Sequence, residues 1–147
     1  MEQNGPELSD LAEISDYNQL AREYKTSVEV RGYEIDGYGH VNHAEYIHYM
    51  EFARWKLLEE HGINLNSFSN WKAWPVISEL KANYIKPCHI GDILEIRTSV
   101  EFGSIASISF FQKVYRENEL TFDGYAKVVM INEKGHPTRL PKELSKL

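Results

Sequence analysis

The stretch from Val30 to Gly62, VRGYEIDGYGHVNHAEYIHYMEFARWKLLEEHG, restricts the folds open to this chain more than any other. It reads as a strand end, a glycine-containing loop and a long helix. Tyr46, Met50, Ala53 and Leu57 recur at i, i+4, i+7 and i+11, with Ile47, Arg54 and Leu58 alongside. So broad an apolar stripe belongs to a helix that is well buried. Asn42 is a good N-cap, and Glu45 three residues later completes an Asn-x-x-Glu form of the capping box. The spacing therefore predicts a helix from His43 to His61, with Gly62 just past its end. Ahead of it, the loop from Glu34 to Val41 carries one buriable carboxylate, Asp36, between Ile35 and Gly37. Gly37 and Gly39 permit a sharp turn and a close approach to a ligand.

That arrangement suits carbonyl chemistry. As the first helical residue, His43 would have a backbone N–H with no partner inside the helix, at the positive end of the macrodipole. A carboxylate just ahead of such an N–H can serve as nucleophile or base while the N–H stabilises the developing oxyanion. Asp, Gly and Asn are also ordinary loop residues. The local pattern by itself leaves open a plain turn followed by a plain helix start.

The rest of the chain supplies a sheet. Tyr24 to Tyr33 reads as a first strand. After the helix comes a linker, Ile63 to Pro75, whose Phe68, Trp71 and Trp74 are expected to pack over the helix. From Val76 the period changes from 3.6 to 2, giving strands over Val76 to Ile85, Asp92 to Phe102, Ser104 to Arg116 and Leu120 to Ile131. In the second of these, Leu94, Ile96, Thr98 and Val100 share one face. Phe102-Gly103-Ser104 and Glu117-Asn118-Glu119 are short enough for hairpins, so the four later strands are expected to form an antiparallel meander. Residues 1–22 are polar and acidic, with Leu8, Leu11, Ile14 and Leu20 spaced for a short amphipathic helix, and read as an extension. Residues 23–135 form the domain. Residues 136–147, basic and with two prolines, read as a solvated tail. One buried helix and about five long strands fit an α+β domain whose sheet curls around the helix. Such a sheet has open edges, so a homodimer, or a tetramer built from it, is expected.

Composition narrows the function. A chain of 147 residues is one domain, and 42% hydrophobic with 26% charged residues is globular. A net charge of −6 argues against a general nucleic-acid binder, which needs a basic stripe. The single cysteine, Cys88, cannot form an internal disulfide and reads as an inert thiol in a reducing cytoplasm. There is no apolar run of membrane-spanning length and no leader pattern at the acidic N-terminus, so a cytoplasmic protein with no membrane partner is expected.

Asp36, Gly39-His40-Val41-Asn42, Tyr46, Tyr49, Glu51 and Ala53-Arg54, closed by Gly62, together resemble the helix motif of the hotdog-fold acyl-CoA thioesterases. The likeness is to the 4-hydroxybenzoyl-CoA thioesterase family, in particular its YbgC/FadM-like members. A second block, Ala82, Tyr84-Ile85-Lys86-Pro87 and Gly91-Asp92-Ile93-Leu94, is similar to that family's A-x-x-Y-x-x-P and G-D-x-L, with the Tyr one position early. The resemblance covers about residues 24 to 133. It implies a hotdog fold, a long central helix wrapped by a curved antiparallel sheet. It also implies hydrolysis of acyl-CoA or acyl-carrier-protein thioesters. On that resemblance Asp36 is the catalytic acid, and His43 supplies the backbone N–H that binds the thioester oxygen. Gly39, Asn42 and Tyr46 are assigned to the substrate. The HVN signature is usually followed by Asn, whereas this chain has HVNH, which mixes two branches of the family.

The remaining polar residues have plainer readings. Glu51 is the rival acid, but an i, i+3 ion pair with Arg54 accounts for it. Tyr46 and Tyr49 line the core or the acyl channel, and His48 lies on the helix surface. No cofactor and no metal are expected. The six histidines offer no ligand cluster, and His40 and His43 are expected on opposite sides of the loop–helix junction. Lys81, Lys86 and Arg97 are candidates for CoA phosphates. The alternatives are an acyl-CoA sensor without catalysis, or another hotdog enzyme such as a thioester dehydratase or hydratase. The signature loops of the latter are absent, and the N-terminal extension is too short and acidic for a DNA-binding domain.

Overall fold

The computed structural model of the chain describes residues 23–147. The amphipathic helix expected within residues 1–22 lies outside the described residues. Five strands form one antiparallel sheet: β1 (Glu23–Glu29), β2 (Trp74–Tyr84), β3 (Ile93–Ser104), β4 (Ser107–Arg116) and β5 (Glu119–Ile131). They lie in the order β1-β3-β4-β5-β2. The helix α1 (Glu45–Glu60) rests on this sheet, and a short helix α2 (Leu65–Trp71) follows it. This is the layered α+β arrangement with one long helix that the sequence implies.

Three details differ from expectation. The first strand ends at Glu29, short of Tyr33, because Gly32–Glu34 curls into a 3-10 turn. The cause is local: the Glu34 carboxylate folds back to accept the Arg31 N–H at 2.8 Å. The linker after α1 holds the helix α2, whose start is capped by Asn64 Oδ1 accepting the Asn66 N–H at 2.9 Å. The meander is confined to β3-β4-β5. The strand β2 instead crosses to the far edge and pairs with β5 over its whole length. Its connection to β3 runs through Lys86 and Pro87 and is too long for a tight hairpin. Both β1 and β2 are therefore edge strands.

The period-2 pattern of β3 holds, with Leu94, Ile96, Thr98 and Val100 all buried. Two apolar clusters fill the space between α1 and the sheet. The first gathers Tyr46, Tyr49, Met50 and Ala53 of α1 with Ile96, Val114 and Phe122 beneath them. The second gathers Leu57, Ile63 and Phe68 with Ile108, Phe110 and Met130. Leu144 and Leu147 join this second cluster, so residues 136–147 are packed rather than solvated. The segment is tied down by Thr138 N–H to Met130 O at 2.8 Å and Leu140 N–H to Ile105 O at 2.7 Å. Burial of Leu144 and Leu147 favours the packed state, and the basic residues of the segment stay exposed, so their charges do not oppose it.

The helix packs tightly against the sheet over Gly124. A Cβ there would stand 2.7 Å from Met50 Sδ, inside any normal contact. One polar group also joins helix to sheet. Gln112, fully buried, donates through Nε2 to Met50 O at 2.9 Å and Thr98 Oγ1 at 3.1 Å. Its Oε1 accepts Arg54 Nη1 at 2.9 Å. Every hydrogen-bonding atom of this amide thus has a partner, as burial requires. No helix among the described residues is long and apolar enough to cross a membrane.

Candidate active site

Asp36 sits in a closed loop. An isolated bridge pairs Ile35 with Val41, and inside it the Asp36 N–H donates to His40 O at 2.8 Å. The Asp36 side chain stabilises its own turn: Oδ1 accepts the N–H of Tyr38 at 2.9 Å and of His40 at 3.2 Å. The turn also needs Gly39, whose φ of +78° lies in the left-handed region that side chains resist. The second carboxylate oxygen, Oδ2, has no partner among the described residues and remains available. Asp36 is half-buried.

The fully buried carboxylate of this loop is Glu34, at 2% exposure, where the sequence pattern had pointed to Asp36. Its Oε2 accepts Arg31 Nη2 at 2.8 Å, and its Oε1 accepts both Arg31 Nε at 3.2 Å and the Tyr49 hydroxyl at 3.1 Å. Burial alone would raise the Glu34 pKa. The bonds from Arg31, main chain and side chain, and from Tyr49 overcome that and hold it below the ordinary carboxylate range. The same burial, with Glu34 close by, pushes the Tyr49 phenol up. The Arg31-x-x-Glu34 spacing is the sequence signal that could have marked this pair.

The helix head is fixed from several sides. Asn42 Oδ1 accepts the Ala44 N–H at 3.0 Å, so Asn42 caps the first turn. The reciprocal half of the capping box does not form. Asn42 N–H donates to Glu34 O at 2.8 Å, and the Glu45 carboxylate turns to the His48 ring at 3.1 Å. Regular helix consequently starts at Glu45, with His43 in the turn ahead of it. The Glu45 N–H donates to Asn42 O at 2.9 Å. The His43 N–H has no acceptor among the described residues.

Asp36 and His43 line one cleft of about 290 Å³, together with His40, Tyr46, Tyr84 and Lys86. The histidines at 40 and 43, expected on opposite sides of the junction, thus border the same space. The ring of His40 stands edge-on to His89 with centroids 5.2 Å apart. Tyr46 is stacked on Phe122 at 4.8 Å and meets Tyr84 edge-on at 5.5 Å. Burial raises the Tyr46 phenol, with a contribution from a hydrogen bond to Cys88. Gly39 and Asn42 lie outside the cleft lining; one shapes the Asp36 turn and the other caps the helix. Cys88 is buried.

Other candidates lie elsewhere. Glu51 is exposed and borders a different cavity, of about 130 Å³, with Arg54, Phe68 and Ile77. The expected Glu51–Arg54 ion pair is not formed, because Arg54 turns inward to Gln112. Burial lowers the Arg54 pKa, and Glu51 only partly offsets this. Of the proposed phosphate contacts, only Lys86 borders the cleft, and it pairs with Glu119 at 3.1 Å. Lys81 is paired with Glu79, and Arg97 with Glu95.

Comparison with known proteins identifies the family and the fold. Residues 30–147 match the family model described as the thioesterase-like superfamily. The acyl-acyl carrier protein thioesterase ATL2 of Arabidopsis thaliana is 28% identical over 123 residues, covering 82% of this chain. The match spans 65% of that relative's length. The acyl-CoA thioester hydrolase YbgC of Escherichia coli O6:H1 is also 28% identical over 123 residues, covering 82% of this chain and 92% of the relative. Among solved structures, Slr0204, a 1,4-dihydroxy-2-naphthoyl-CoA thioesterase from Synechocystis, superimposes with a TM-score of 0.80. That superposition covers 84% of this chain and 93% of the other at 15% identity, and speaks for the fold.

Proposed function

The chain belongs to the thioesterase-like superfamily, and from that premise we propose that it hydrolyses acyl-CoA or acyl-carrier-protein thioesters. The observation that carries this reading is that Asp36 and His43 line one cleft, and that among the described residues neither Asp36 Oδ2 nor the His43 N–H has a hydrogen-bond partner. The thioester oxygen is received by the His43 N–H at the positive end of α1, which stabilises charge as it develops on that oxygen. Asp36 delivers the attacking oxygen, either from its own carboxylate as a mixed anhydride or from a water that it deprotonates. The C–S bond breaks and the thiolate leaves, taking up the proton of the attacking water; in the anhydride route that water attacks in a second step, and either way the acid is released. Tyr46 and Tyr84 border the acyl side of the cleft. Gly39 and Asn42 serve indirectly, one by shaping the turn that carries Asp36 and the other by capping the helix head beside His43. Lys86 is the one lysine or arginine among the residues that line the cleft.

A second copy of the chain completes this reading. The edge strand β2 is exposed along nearly its whole length, and Val76, Ile77, Leu80 and Tyr84 all stand uncovered. An open apolar edge of eleven residues is an aggregation hazard unless it is paired, and a symmetric dimer pairs it. The buried thiol of Cys88 fits a reducing compartment such as the cytoplasm.

The test is thiol release from a panel of acyl-CoAs, short, long and aromatic. Release from at least one panel member, at a rate well above the uncatalysed background, is expected. Its absence from every panel member, free or carrier-bound, would overturn the proposal.

A further inference from the structure

The first turn ahead of α1 departs from helical bonding in one respect. In a regular α-helix the Ile47 N–H would be directed at His43 O. Here it goes instead to Ala44 O at 3.2 Å, a tighter i to i−3 bond. The His43 carbonyl is taken by a side chain from another element: the hydroxyl of Tyr84, at the end of β2, donates to it at 2.8 Å. Tyr84 is itself held in place. It faces Phe122 across the β2–β5 register, meets that ring at 5.3 Å, and meets Tyr46 at 5.5 Å. A bond from a rigid strand thus fixes one side of residue 43, while Asn42, bonded to Glu34 O and Ala44 N–H, fixes the other.

We propose that Tyr84 is a positioning residue: its hydroxyl, bonded to the carbonyl of the 43–44 peptide, fixes residue 43 and thereby aims the N–H of the preceding 42–43 peptide, which has no acceptor among the described residues, at the thioester oxygen. This rests on the thioesterase reading above. A donor that receives a developing oxyanion must be set before the reaction, and small errors in its direction lower the rate of the chemical step more than they weaken substrate binding. The aromatic ring of Tyr84 serves packing. The hydroxyl serves the helix head.

Tyr84→Phe separates the two roles, since it keeps the ring contacts and removes the bond. Three readings are needed on wild type and variant: kcat and KM with the best acyl-CoA, the melting temperature, and the amide resonance of His43 in labelled protein. The expected result is a kcat lowered about tenfold with KM within about twofold, a nearly unchanged melting temperature, and a shifted His43 amide. A kcat within about twofold of wild type overturns the proposal, as does a fall in kcat that only follows lost stability. If wild type hydrolyses no thioester, the thioesterase reading fails on its own, and the amide resonance still decides whether Tyr84 fixes residue 43. An unshifted resonance then overturns it.

Discussion

Tyr49 donates its hydroxyl to Glu34 Oε1 at 3.1 Å, and this buried bond ties the second turn of α1 to the turn that leads into Asp36. The main chain of Glu34 holds the helix head as well, through the Asn42 N–H. One residue thereby links the candidate acid to the candidate oxyanion donor.

Replacing Glu34 by Gln should remove the ion pair with Arg31 and weaken the side-chain link to Tyr49 while leaving the main-chain link to Asn42 in place. A loss of about 1–3 kcal/mol at neutral pH is expected, read from urea denaturation. The pH dependence follows from the lowered pKa. Because Glu34 is held below its ordinary value of 4.5, the stability it contributes is fully present above that value and is lost as pH falls through the lower folded-state pKa. Wild type should therefore lose melting temperature more steeply in acid than the Glu34→Gln variant. Parallel curves for the two proteins would show that the carboxylate contributes nothing through its charge.

Gly124→Ala should be costly for its size. The new Cβ would stand 2.7 Å from both Met50 Sδ and Phe122 Cε1, and both neighbours are buried. Overpacking of this kind destabilises by about 1–3 kcal/mol. A denaturation midpoint equal to that of wild type would mean that α1 moves away from the sheet freely.

Gly39→Ala should act on the site more than on the fold. No neighbour lies within 4 Å of the added carbon, so the cost is the positive φ alone, about 1–2 kcal/mol. The strained turn is the one that Asp36 Oδ1 stabilises, so kcat should fall while the melting temperature drops only slightly. Full activity with lowered stability would separate the turn from the chemistry.

Leu80→Glu on β2 should turn a dimer into a monomer in sedimentation equilibrium. Leu80 is 44% exposed on an edge strand, and a charge there disfavours edge-to-edge pairing. A wild-type protein that is monomeric at micromolar concentration would remove the dimer from the account.

The helix and the sheet faces were legible in the sequence because each follows a simple period. The 3.6 repeat of Tyr46, Met50, Ala53 and Leu57 and the alternation of Leu94, Ile96, Thr98 and Val100 are both realised as burial. The path of β2 was not legible, since strand order depends on which edge a long connection can reach, and period carries no such information. The packed C-terminal segment was missed because its composition is basic, while its placement rests on Leu140, Leu144 and Leu147 and on main-chain bonds to Met130 and Ile105. At the site, Asp36, His43 and Tyr46 meet in one cleft. The Tyr49–Glu34 and Tyr84–His43 bonds escaped notice, because side-chain contacts between distant elements leave no local pattern, whereas the Arg31–Glu34 pair had a local spacing that went unread.

The measurement that bears most directly on the central claim is the single-turnover rate of thiol release by Asp36→Asn beside wild type, on the acyl-CoA that wild type cleaves fastest. Asn is nearly isosteric and keeps an oxygen to accept the Tyr38 and His40 N–H groups, so the turn should survive. Loss of the base or nucleophile should lower the rate by about a hundredfold or more. Equal rates for the two proteins would contradict the account and leave Asp36 as a turn residue.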